Sequence, residues 1–231
     1  MISGGIKFFE KSKCLLKDGA SIVASSADAA ADYVLSMNRY YRWDSIGSDD
    51  STPETLTITL PEAATFSRLF IVDHNLKEFD VTYGSGASSF ANVVGIDGAT
   101  SGIDEAAFAQ NTAYYEFDAV TTDQINITAL KTQTANQEKY ITLVAVTNEI
   151  GTLVGYPSVQ PTLDFNERRS QVQSGKYITQ KNYEVVTAKI AMEYTEQDDI
   201  DVFATLYEMQ DPFLVWLCGG KYGTGKFSVR F

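Results

Sequence analysis

A series of short apolar runs, several with a period of two, constrains the fold of this chain more than any other feature. Thr55–Leu60 places its leucine and isoleucine side chains on one face and its threonines on the other, which predicts a half-buried strand. Leu69–Val72 is apolar throughout and predicts a central strand. Four further runs before residue 148 are typical of strands: Phe79–Tyr83, Tyr114–Phe117, Gln124–Ala129 and Tyr140–Val146. Short strands at this spacing, with turn residues between them, predict a β-sandwich or jelly roll.

The segment Ala24–Asp44 precedes these strands and has a distinctive order of residue types. It begins with an alanine-rich helical turn, continues with Asn38-Arg39 and ends in an aromatic run that closes on Trp43. This order resembles the N-terminal half of a discoidin-type, galactose-binding-like β-sandwich. In that family Asp-Gly usually stands at the position of Asn38-Arg39, and Thr-x-Trp at the position of Arg42-Trp43. The resemblance implies that Trp43 is a core residue.

The pattern of residues changes after residue 150. Gly151–Pro161 contains two glycines and two prolines, which is typical of a linker between domains. We therefore predict a galactose-binding-like sandwich over residues 1–150, a linker over residues 151–161 and a smaller β-rich domain over residues 162–231. The predicted fold class is mainly β, with an N-terminal jelly-roll sandwich and a C-terminal β-domain that carries one packed helix.

The predicted helix lies near residues 198–210. Asp198 suits the N-cap position, where a carboxylate accepts hydrogen bonds from free backbone amides. The side chains that fall on one face at helical spacing are Ile200, Phe203, Leu206 and Tyr207. We expect this face to pack against the strands of the second domain. Those strands are predicted at Arg168–Gln173, Glu184–Tyr194 and Phe213–Cys218.

The last third of the chain carries a second resemblance. The order runs from the polar segment Arg168–Gly175 through the strand Glu184–Tyr194 and the aspartate-capped helix to an apolar strand before Gly219-Gly220. It resembles structural domains of bacteriophage distal-tail and baseplate proteins. The resemblance implies a structural virion protein at the tail tip that assembles as a ring. Its partners would be copies of itself and other phage tail proteins.

The hairpin Arg168–Lys181 is the expected docking arm of such an assembly. Arg168 and Arg169 are adjacent cations in an acidic chain, so they suit an acidic neighbour. Surface solubility explains the two arginines equally well, because exposed ion pairs contribute little. The candidate assembly residues are Arg168, Arg169, Gln171, Gln173, Lys176 and Tyr177.

A carbohydrate-binding, lectin-like module for host adhesion is the alternative function. Discoidin-like domains often bind glycans through loops at one end of the sandwich, and aromatic rings stack on sugars. Tyr40 and Tyr41 suit a core or an interface equally well. The candidate glycan residues are Tyr40, Tyr41, Asp44, Asp49, Asp50, His74 and Asn75.

The net charge of −12 argues against two classes of partner. Nucleic acids and anionic membrane surfaces are both bound through clustered lysines and arginines. No apolar run approaches the about 18 residues of a membrane span. Charges interrupt the N-terminal apolar run, unlike in a signal peptide, so we expect synthesis in the host cytoplasm and a final location in the virion tail.

Catalytic and metal chemistry find little support in the residue types. His74 is the only histidine, and no partner nucleophile or orienting group is visible for it, so we expect no enzyme activity. One histidine and the distant Cys14 and Cys218 do not make a zinc site. The loop Asp44–Glu54 offers carboxylates for a structural calcium ion, but it lacks a ligand-spacing motif and a solvated acidic loop is the favoured interpretation. We therefore expect no cofactor.

Overall fold

The computed structural model describes residues 6–36, 40–96, 98–153, 158–171, 177–191, 197–209 and 214–217. The strands are β1 (Ile6–Phe9), β2 (Ser21–Ala24), β3 (Trp43–Asp44), β4 (Glu54–His74), β5 (Leu76–Tyr83), β6 (Val93–Gly95), β7 (Gly98–Thr100), β8 (Ile103–Glu105), β9 (Thr112–Thr132), β10 (Tyr140–Thr147), β11 (Glu149–Leu153), β12 (Ser158–Gln171), β13 (Tyr177–Ala191) and β14 (Leu214–Leu217). The α-helices are α1 (Asp28–Ala31) and α2 (Gln197–Glu208), and 3-10 helices span Leu16–Asp18 and Asp32–Leu35. The protein is mainly β with one helix in its C-terminal region, as predicted. None of the helices in these ranges is long and apolar enough to cross a membrane.

Two long strands, β4 and β9, form the frame of a β-sandwich. Each has 21 residues, and they pair with each other in antiparallel fashion. The ladder shifts register between Thr59 and Ala64 and again between Phe66 and Arg68. Such irregularities bend a strand, so each long strand contributes one half to each layer of the sandwich. The sequence predicted each of these strands as two short ones.

The remaining strands add to the two layers. In the first layer β2 lies beside the first half of β4, and β5 and β8 continue from the second half of β9. In the second layer β10 and β3 lie beside the second half of β4, and β6 and β7 lie beside the first half of β9. All of these pairs are antiparallel, which is typical of a sandwich or jelly roll.

The main hydrophobic core lies between the two layers. Alternate residues of β4 and β9, such as Leu56, Ile58 and Ile127, are fully buried because successive side chains of a strand point to opposite faces. Trp43 belongs to the same cluster, and its indole Nε1 donates a hydrogen bond to the carbonyl oxygen of Ser26 at 2.9 Å. The core role that the resemblance implied for Trp43 is confirmed. Asn38-Arg39, which contributed to that resemblance, lies outside the described residues.

A small sheet in the order β11-β1-β14 covers the outer face of the second layer. Phe9 of β1 meets the rings of Phe70 and Tyr114 at centroid distances of 5.0 and 5.7 Å, and Leu214 of β14 joins the same cluster. The sheet therefore unites residues from the start, the middle and the end of the chain. Its central strand is β1, which has a neighbour on each side.

Helix α2 packs on the other face of this small sheet. Ile6 and Phe8 of β1 form a cluster with Leu153, and Val202 and Leu206 of the helix pack against it. Ile6 and Phe8 point away from the sandwich because they alternate along β1 with Phe9, which points toward it. The order of layers is thus first sandwich layer, second sandwich layer, small sheet and helix.

The predicted packing face of α2 is wrong in three of its four residues. Ile200, Phe203 and Tyr207 are exposed, and only Leu206 is turned toward the sheet. Val202 lies one turn before Leu206 on the same side, so the pair four residues apart forms the contact. Two apolar stripes run along this helix, and the helical period alone does not say which of them is buried.

Strands β12 and β13 form a long hairpin. Their pairing runs from Ser158–Ala191 to Gln171–Tyr177, with one register shift after Asn166. Within the described residues they pair only with each other. The hairpin predicted at Arg168–Lys181 is therefore the outer part of a much longer one.

The predicted linker over residues 151–161 is β-structure wherever it is described. Gly151–Leu153 completes β11, and Ser158–Pro161 begins β12. Glycine and proline are compatible with these strands, because proline is tolerated where a strand has a free edge. The division into domains over residues 1–150 and 162–231 stays a prediction. The segment Phe213–Cys218, predicted as a strand, is described only at β14.

Candidate functional site

The candidate site lies at the end of the sandwich where β3 joins β10. The two strands pair through Trp43–Ile141 and Asp44–Tyr140. The buried indole of Trp43 anchors β3 to the hydrophobic core, so the residues immediately before Trp43 are held at the surface.

Three tyrosines are exposed beside this strand. The ring of Tyr33, in the 3-10 helix Asp32–Leu35, stacks on the ring of Tyr41 with centroids 5.0 Å apart and planes at 25°. Tyr40 is 84% exposed and Tyr41 is 54% exposed. The stack fixes the orientation of the Tyr41 ring while part of its surface stays in water. Sequence reasoning missed Tyr33, because only the folded helical turn brings it beside Tyr41.

Arg42 forms the charged part of the site. Its Nε donates to Asp44 Oδ2 at 3.0 Å, and its Nη2 lies 2.8 Å from Asp44 Oδ1, so the pair is bidentate. The guanidinium carbon also lies 3.9 Å from the centroid of the Tyr140 ring. The hydrogen bond to Asp44 raises the pKa of Arg42 above its ordinary value, so the guanidinium stays charged. Both partners keep close to half of their side-chain surface exposed and remain accessible.

Asp73 adds a second carboxylate near this pair. Its φ of 53° places it in the left-handed region, one residue before the end of β4. Its Oδ2 accepts a hydrogen bond from Thr142 Oγ1 at 3.2 Å, and its charge contributes to the raised pKa of Arg42. The sequence did not single out Asp73 as a site residue. The site thus combines flat aromatic surfaces with a fixed donor and two carboxylate acceptors.

His74 and Asn75 were predicted as glycan residues, and the structure corrects this assignment. His74 is fully buried, with its Nδ1 accepting from the Leu76 amide at 3.1 Å. Asn75 bridges two strands, since its Nδ2 donates to the Glu138 carbonyl at 2.8 Å and its Oδ1 accepts from the Tyr140 amide at 2.9 Å. His74 is the last residue of β4 and Asn75 is the single residue between β4 and β5, so both belong to the sheet, where the polar turn signal suggested a surface loop.

Asp49 and Asp50 have structural partners. Asp49 Oδ1 accepts from the Ser51 amide and hydroxyl at 2.8 and 2.6 Å, and these bonds lower its pKa. Asp50 Oδ1 accepts from the Thr132 amide and hydroxyl at 2.9 and 3.0 Å, and its pKa is lowered for the same reason. The two carboxylates therefore hold the loop in shape. Of the seven predicted glycan residues, the structure brings Tyr40, Tyr41 and Asp44 together at the surface.

The loop that was considered for calcium contains a lysine ammonium. Lys139 is fully buried, and its Nζ donates to the carbonyl oxygens of Asp49 and Thr52 at 2.6 and 2.9 Å. These carbonyls thus bind a cation that belongs to the chain itself. No group of three or more side chains able to hold a metal ion occurs in the part of the chain that is described.

A second charged cluster lies between the sandwich and the small sheet. Lys7 of β1 lies 2.7 Å from Glu116 and 3.2 Å from Glu149, and Arg68 lies 2.9 Å from Glu149. Tyr114 donates to Glu116 at 3.0 Å, and burial raises the pKa of the phenol. Each carboxylate meets a cation from another strand, so the cluster joins β1 and β11 to β4 and β9. We interpret it as a structural tie between the sheets.

The predicted assembly residues fall on the long hairpin. Arg168, Arg169 and Gln171 lie near the end of β12, and Tyr177 begins β13, opposite Gln171. Gln173 and Lys176 lie outside the described residues. The backbone therefore brings the four described residues to the outer end of one hairpin.

An open groove of about 730 Å³ lies between the β1–β2 connection, the bend of β4 and the end of α2. Lys11 is paired with Asp18 and Lys13 with Glu10, each at 2.8 Å. The cations that line the groove are therefore already neutralised by carboxylates of the same segment. We assign no ligand to it.

No protein-family model matches this sequence, and no curated protein matches it. Among solved structures, the chain is similar to chitosan-binding module 1 from a chitosanase/glucanase of Paenibacillus sp. IK-5, with 14% identity and a TM-score of 0.46 over 59% of this chain and 97% of that chain. It is similar to the family 32 CBM of Clostridium perfringens NanJ in complex with galactose, with 17% identity and a TM-score of 0.45 over 59% of this chain and 98% of that chain.

A further similarity is to a putative alpha-L-fucosidase from Bacteroides thetaiotaomicron, with 16% identity and a TM-score of 0.44 over 58% of this chain and 28% of that chain. At these identities and TM-scores the similarities carry no inference about a ligand. Any function must therefore be argued from the residues of this chain.

Proposed function

We propose that this chain is a non-catalytic carbohydrate-binding module. The observation that carries the proposal is the stacked, solvent-exposed pair Tyr33 and Tyr41 at the loop end of the sandwich. Aromatic rings bury large apolar areas in cores and interfaces, so a fixed ring at the surface is suited to a ligand. A flat ring selects a ligand that has a flat apolar face of its own.

Sugar rings have such a face. Their C–H groups carry a partial positive charge and pack against the negative face of an aromatic ring. Their hydroxyl groups both donate and accept, so they match the Arg42 guanidinium as donor and the Asp44 and Asp73 carboxylates as acceptors. Because Arg42 and Asp44 are already paired, binding orders few additional side chains.

The charges of the site favour neutral or basic saccharides. Two carboxylates, Asp44 and Asp73, accompany one guanidinium, and the whole chain carries a net charge of −12. An anionic polysaccharide would be repelled by this field before it reached the site. The proposed ligand class is therefore a neutral or amino-sugar glycan on a surface to which the protein attaches.

Affinity electrophoresis of the purified chain in gels that contain neutral, basic or anionic polysaccharides tests the proposal. A retained polysaccharide is then used as an oligosaccharide in titration calorimetry. The substitution Tyr41→Ala is expected to weaken binding about 10-fold, because it removes the stacking surface. Tyr207→Ala is the matched control, since this exposed tyrosine lies on α2 and not on the sandwich loops.

Retention by neutral or basic polysaccharides, with weaker binding in Tyr41→Ala than in Tyr207→Ala, would support the proposal. Absence of retention by every polysaccharide would contradict it. Equal affinities of the two variants would remove the tyrosine pair from the binding site.

A ring-forming structural protein of a phage virion tail is the second candidate function, and the hairpin β12–β13 favours it. Within the described residues its strands pair only with each other, and an isolated two-stranded hairpin is marginally stable in water. Copies of the chain or other tail proteins would supply the missing partner. Negative-stain electron microscopy of the purified chain tests this candidate: closed rings support it, and a monomer at all concentrations contradicts it.

A further inference from the structure

We infer that Asp73 makes the candidate site selective for glycans that carry a protonated amine. The inference rests on the proposed carbohydrate binding and deepens it, because it chooses free amino sugars over neutral and N-acetylated sugars and assigns that choice to one side chain. We call Arg42, Asp44, Asp73, Tyr140 and Thr142 the charged subsite. The stacked tyrosines form the apolar part of the same site.

The pairing of β3, β10 and β4 brings Arg42 and Asp73 to the same side of β10. Ile141 pairs with both neighbouring strands, and its side chain lies in the main core. The side chains before and after it, Tyr140 and Thr142, therefore lie on the opposite side of β10. Arg42 lies over the ring of Tyr140, and Asp73 accepts its hydrogen bond from Thr142. Adjacent strands are about 4.8 Å apart, so the backbones of β3 and β4 are about 10 Å apart across β10.

The charges of the charged subsite do not balance. Both carboxylate oxygens of Asp44 are used by Arg42, at 3.0 and 2.8 Å, so this pair is neutral as a unit. Asp73 is half-buried, and within the described residues it has no salt bridge and only its Oδ2 has a hydrogen-bond partner. An ionised carboxylate has about four positions for donors, so most of the acceptor capacity of Asp73 is free. One negative charge is therefore left over at the surface of the site.

An ammonium group fits this carboxylate better than a hydroxyl group does. Ammonium offers three N–H donors and a full positive charge, whereas a hydroxyl offers one donor and no charge. The positive charge adds Coulomb attraction to the hydrogen bond. A ligand also removes water from the half-buried carboxylate, and a cationic partner offsets that cost better than a neutral one. Acetylation of an amine takes away its charge, so an N-acetylated sugar loses this advantage.

Other charged ligands fit the charged subsite less well. A calcium ion takes about six to eight oxygen ligands, and no group of three or more side chains able to hold a metal ion occurs among the described residues. An anionic sugar would bring a second negative group to Asp73, in a chain with a net charge of −12. A lysine side chain offers the same ammonium, but it has no flat apolar face for the ring of Tyr41. An amino sugar combines both features.

A structural role explains only part of what Asp73 contributes. Its φ of 53° lies in the left-handed region, which aspartate and asparagine tolerate better than other side chains. Asparagine would also keep an oxygen that accepts the hydrogen bond from Thr142. The backbone conformation and this hydrogen bond therefore do not require a negative charge. The substitution Asp73→Asn separates the charge from the structural contact.

Titration calorimetry with two sugar ligands of equal length tests the inference. One ligand is a tetramer of glucosamine and the other is its N-acetylated form, in a mildly acidic buffer that keeps the free amines protonated. The unmodified chain is expected to bind the free-amine tetramer at least about 10-fold more tightly. Asp73→Asn is expected to weaken that binding about 10-fold and to change the binding of the acetylated tetramer less than about 2-fold, because only the free amine loses an ionic partner.

Asp123→Asn is the matched control. It removes one negative charge from an exposed residue of β9, a strand that pairs with neither β3 nor β10, so the net charge changes equally without a change in the charged subsite. This variant is expected to keep the preference of the unmodified chain. A lysine tetrapeptide is the control ligand, since it carries ammonium groups without a sugar ring, and it is expected to bind more weakly than the free-amine tetramer. Added salt is expected to reduce the preference.

A preference for the free amine that is lost in Asp73→Asn and kept in Asp123→Asn would support the inference. Equal affinities of the unmodified chain for the two tetramers, a preference unchanged in Asp73→Asn, or equal binding of the lysine tetrapeptide would overturn it and leave carbohydrate binding intact. Failure of the unmodified chain to bind any saccharide would overturn the proposed function as well. Thermal unfolding shows that both variants are folded, and the comparison of the two tetramers on the unmodified chain needs no substitution.

Discussion

His74 lies in the sandwich core with its ring between two phenylalanines. The imidazole stacks on Phe108 at a centroid distance of 5.5 Å and meets Phe79 edge-on at 5.7 Å. Burial lowers its pKa to about 3, so the folded protein keeps the ring neutral. In the unfolded chain the ring has its ordinary pKa of about 6.5. The difference connects the stability of the protein to pH.

The free energy of unfolding is expected to fall as the pH is lowered from 7 to 5.5. The unfolded state has the higher pKa and binds the proton first, so protonation favours unfolding. The contribution of His74 is fully present above pH 6.5 and is lost progressively toward pH 3, its folded pKa. The expected loss by pH 5.5 is about 1–1.5 kcal/mol. Urea unfolding at a series of pH values measures it.

His74→Phe is the control for this pH dependence. The variant keeps an aromatic ring between the two phenylalanines and removes the titrating group. His74 is the only histidine of the chain, so the unfolding free energy of the variant is expected to be nearly constant over the same pH range. A slope that is equal in both proteins would assign the effect to the carboxylates.

Lys139 is a second buried ionisable residue whose structural role can be tested by substitution. Lys139→Met is expected to destabilise the protein by about 2–4 kcal/mol, because the backbone carbonyl oxygens of Asp49 and Thr52 lose their charged hydrogen-bond donor. Thermal and urea unfolding measure the change. Methionine has a similar length and apolar stem, so the loss reports on the ammonium and not on packing.

Lys131→Met provides the comparison at an exposed lysine. Lys131 pairs with Glu78 on the surface, where water and salt screen the interaction, so little change in the unfolding midpoint is expected. If both substitutions had the same effect, the buried ammonium would not be what holds the Asp44–Glu54 loop.

At the scale of elements, the contact between β11 and α2 depends on one glycine. A Cβ added at Gly151 would collide with a methyl group of Val202 on the facing helix. Gly151→Ala is expected to destabilise the protein by about 1–3 kcal/mol, the usual cost of overpacking. Urea unfolding of the full chain measures the loss.

A double-mutant cycle distinguishes this contact from a general effect of alanine. Val202→Ala makes room for the new methyl group, so Gly151→Ala with Val202→Ala is expected to cost less than the sum of the single substitutions. Gly86→Ala is the control, because no atom lies within 4 Å of the position of its Cβ. Additive costs would show that the helix and the strand do not press on each other at this point.

Elements with a strong local pattern were predictable from the sequence. Apolar side chains recur with a period of two along several strands of the sandwich, which identifies them as strands. The Ala24–Asp44 segment placed Trp43 in the core. The small sheet was not predictable, because β1, β11 and β14 are short and their pairing joins residues far apart in the sequence. Residues 151–161 were predicted to be a linker for the same reason. Their glycines and prolines are visible in the sequence, whereas the strand pairing that they take part in is not.

The site was predictable only in part. Tyr40, Tyr41 and Asp44 lie next to a recognisable anchor, and Tyr40 and Tyr41 are exposed, although the sequence left a core position open for the two tyrosines. His74 ends β4 and Asn75 follows it, and both point inward, since a short connection can satisfy its polar groups within the fold. Tyr33 and Lys139 become relevant through contacts with residues that local patterns do not connect to them.

At the scale of the whole molecule, the small sheet decides whether the predicted boundary at residue 150 separates two independent units. A cut there divides β11 and removes β14, so β1 keeps only its Phe9–Glu149 pair with a neighbouring strand. Ile6 and Phe8 then lose Leu153 and the helix residues that cover them. The side chains of β1 that face the helix would be exposed to water in such a fragment.

The fragment 1–150 is therefore expected to unfold at a lower temperature and a lower urea concentration than the full chain. Exposing Ile6 and Phe8 removes about 1.5–3 kcal/mol for each side chain. Calorimetry and urea unfolding compare the two proteins, and the full chain with Ile6→Ala serves as a reference for the loss of one β1 side chain. A fragment with the stability of the full chain would mean that the sandwich does not depend on the small sheet, in agreement with the boundary that the sequence predicts. A fragment that is less stable than the Ile6→Ala chain would mean that β1, the small sheet and α2 fold together with the sandwich.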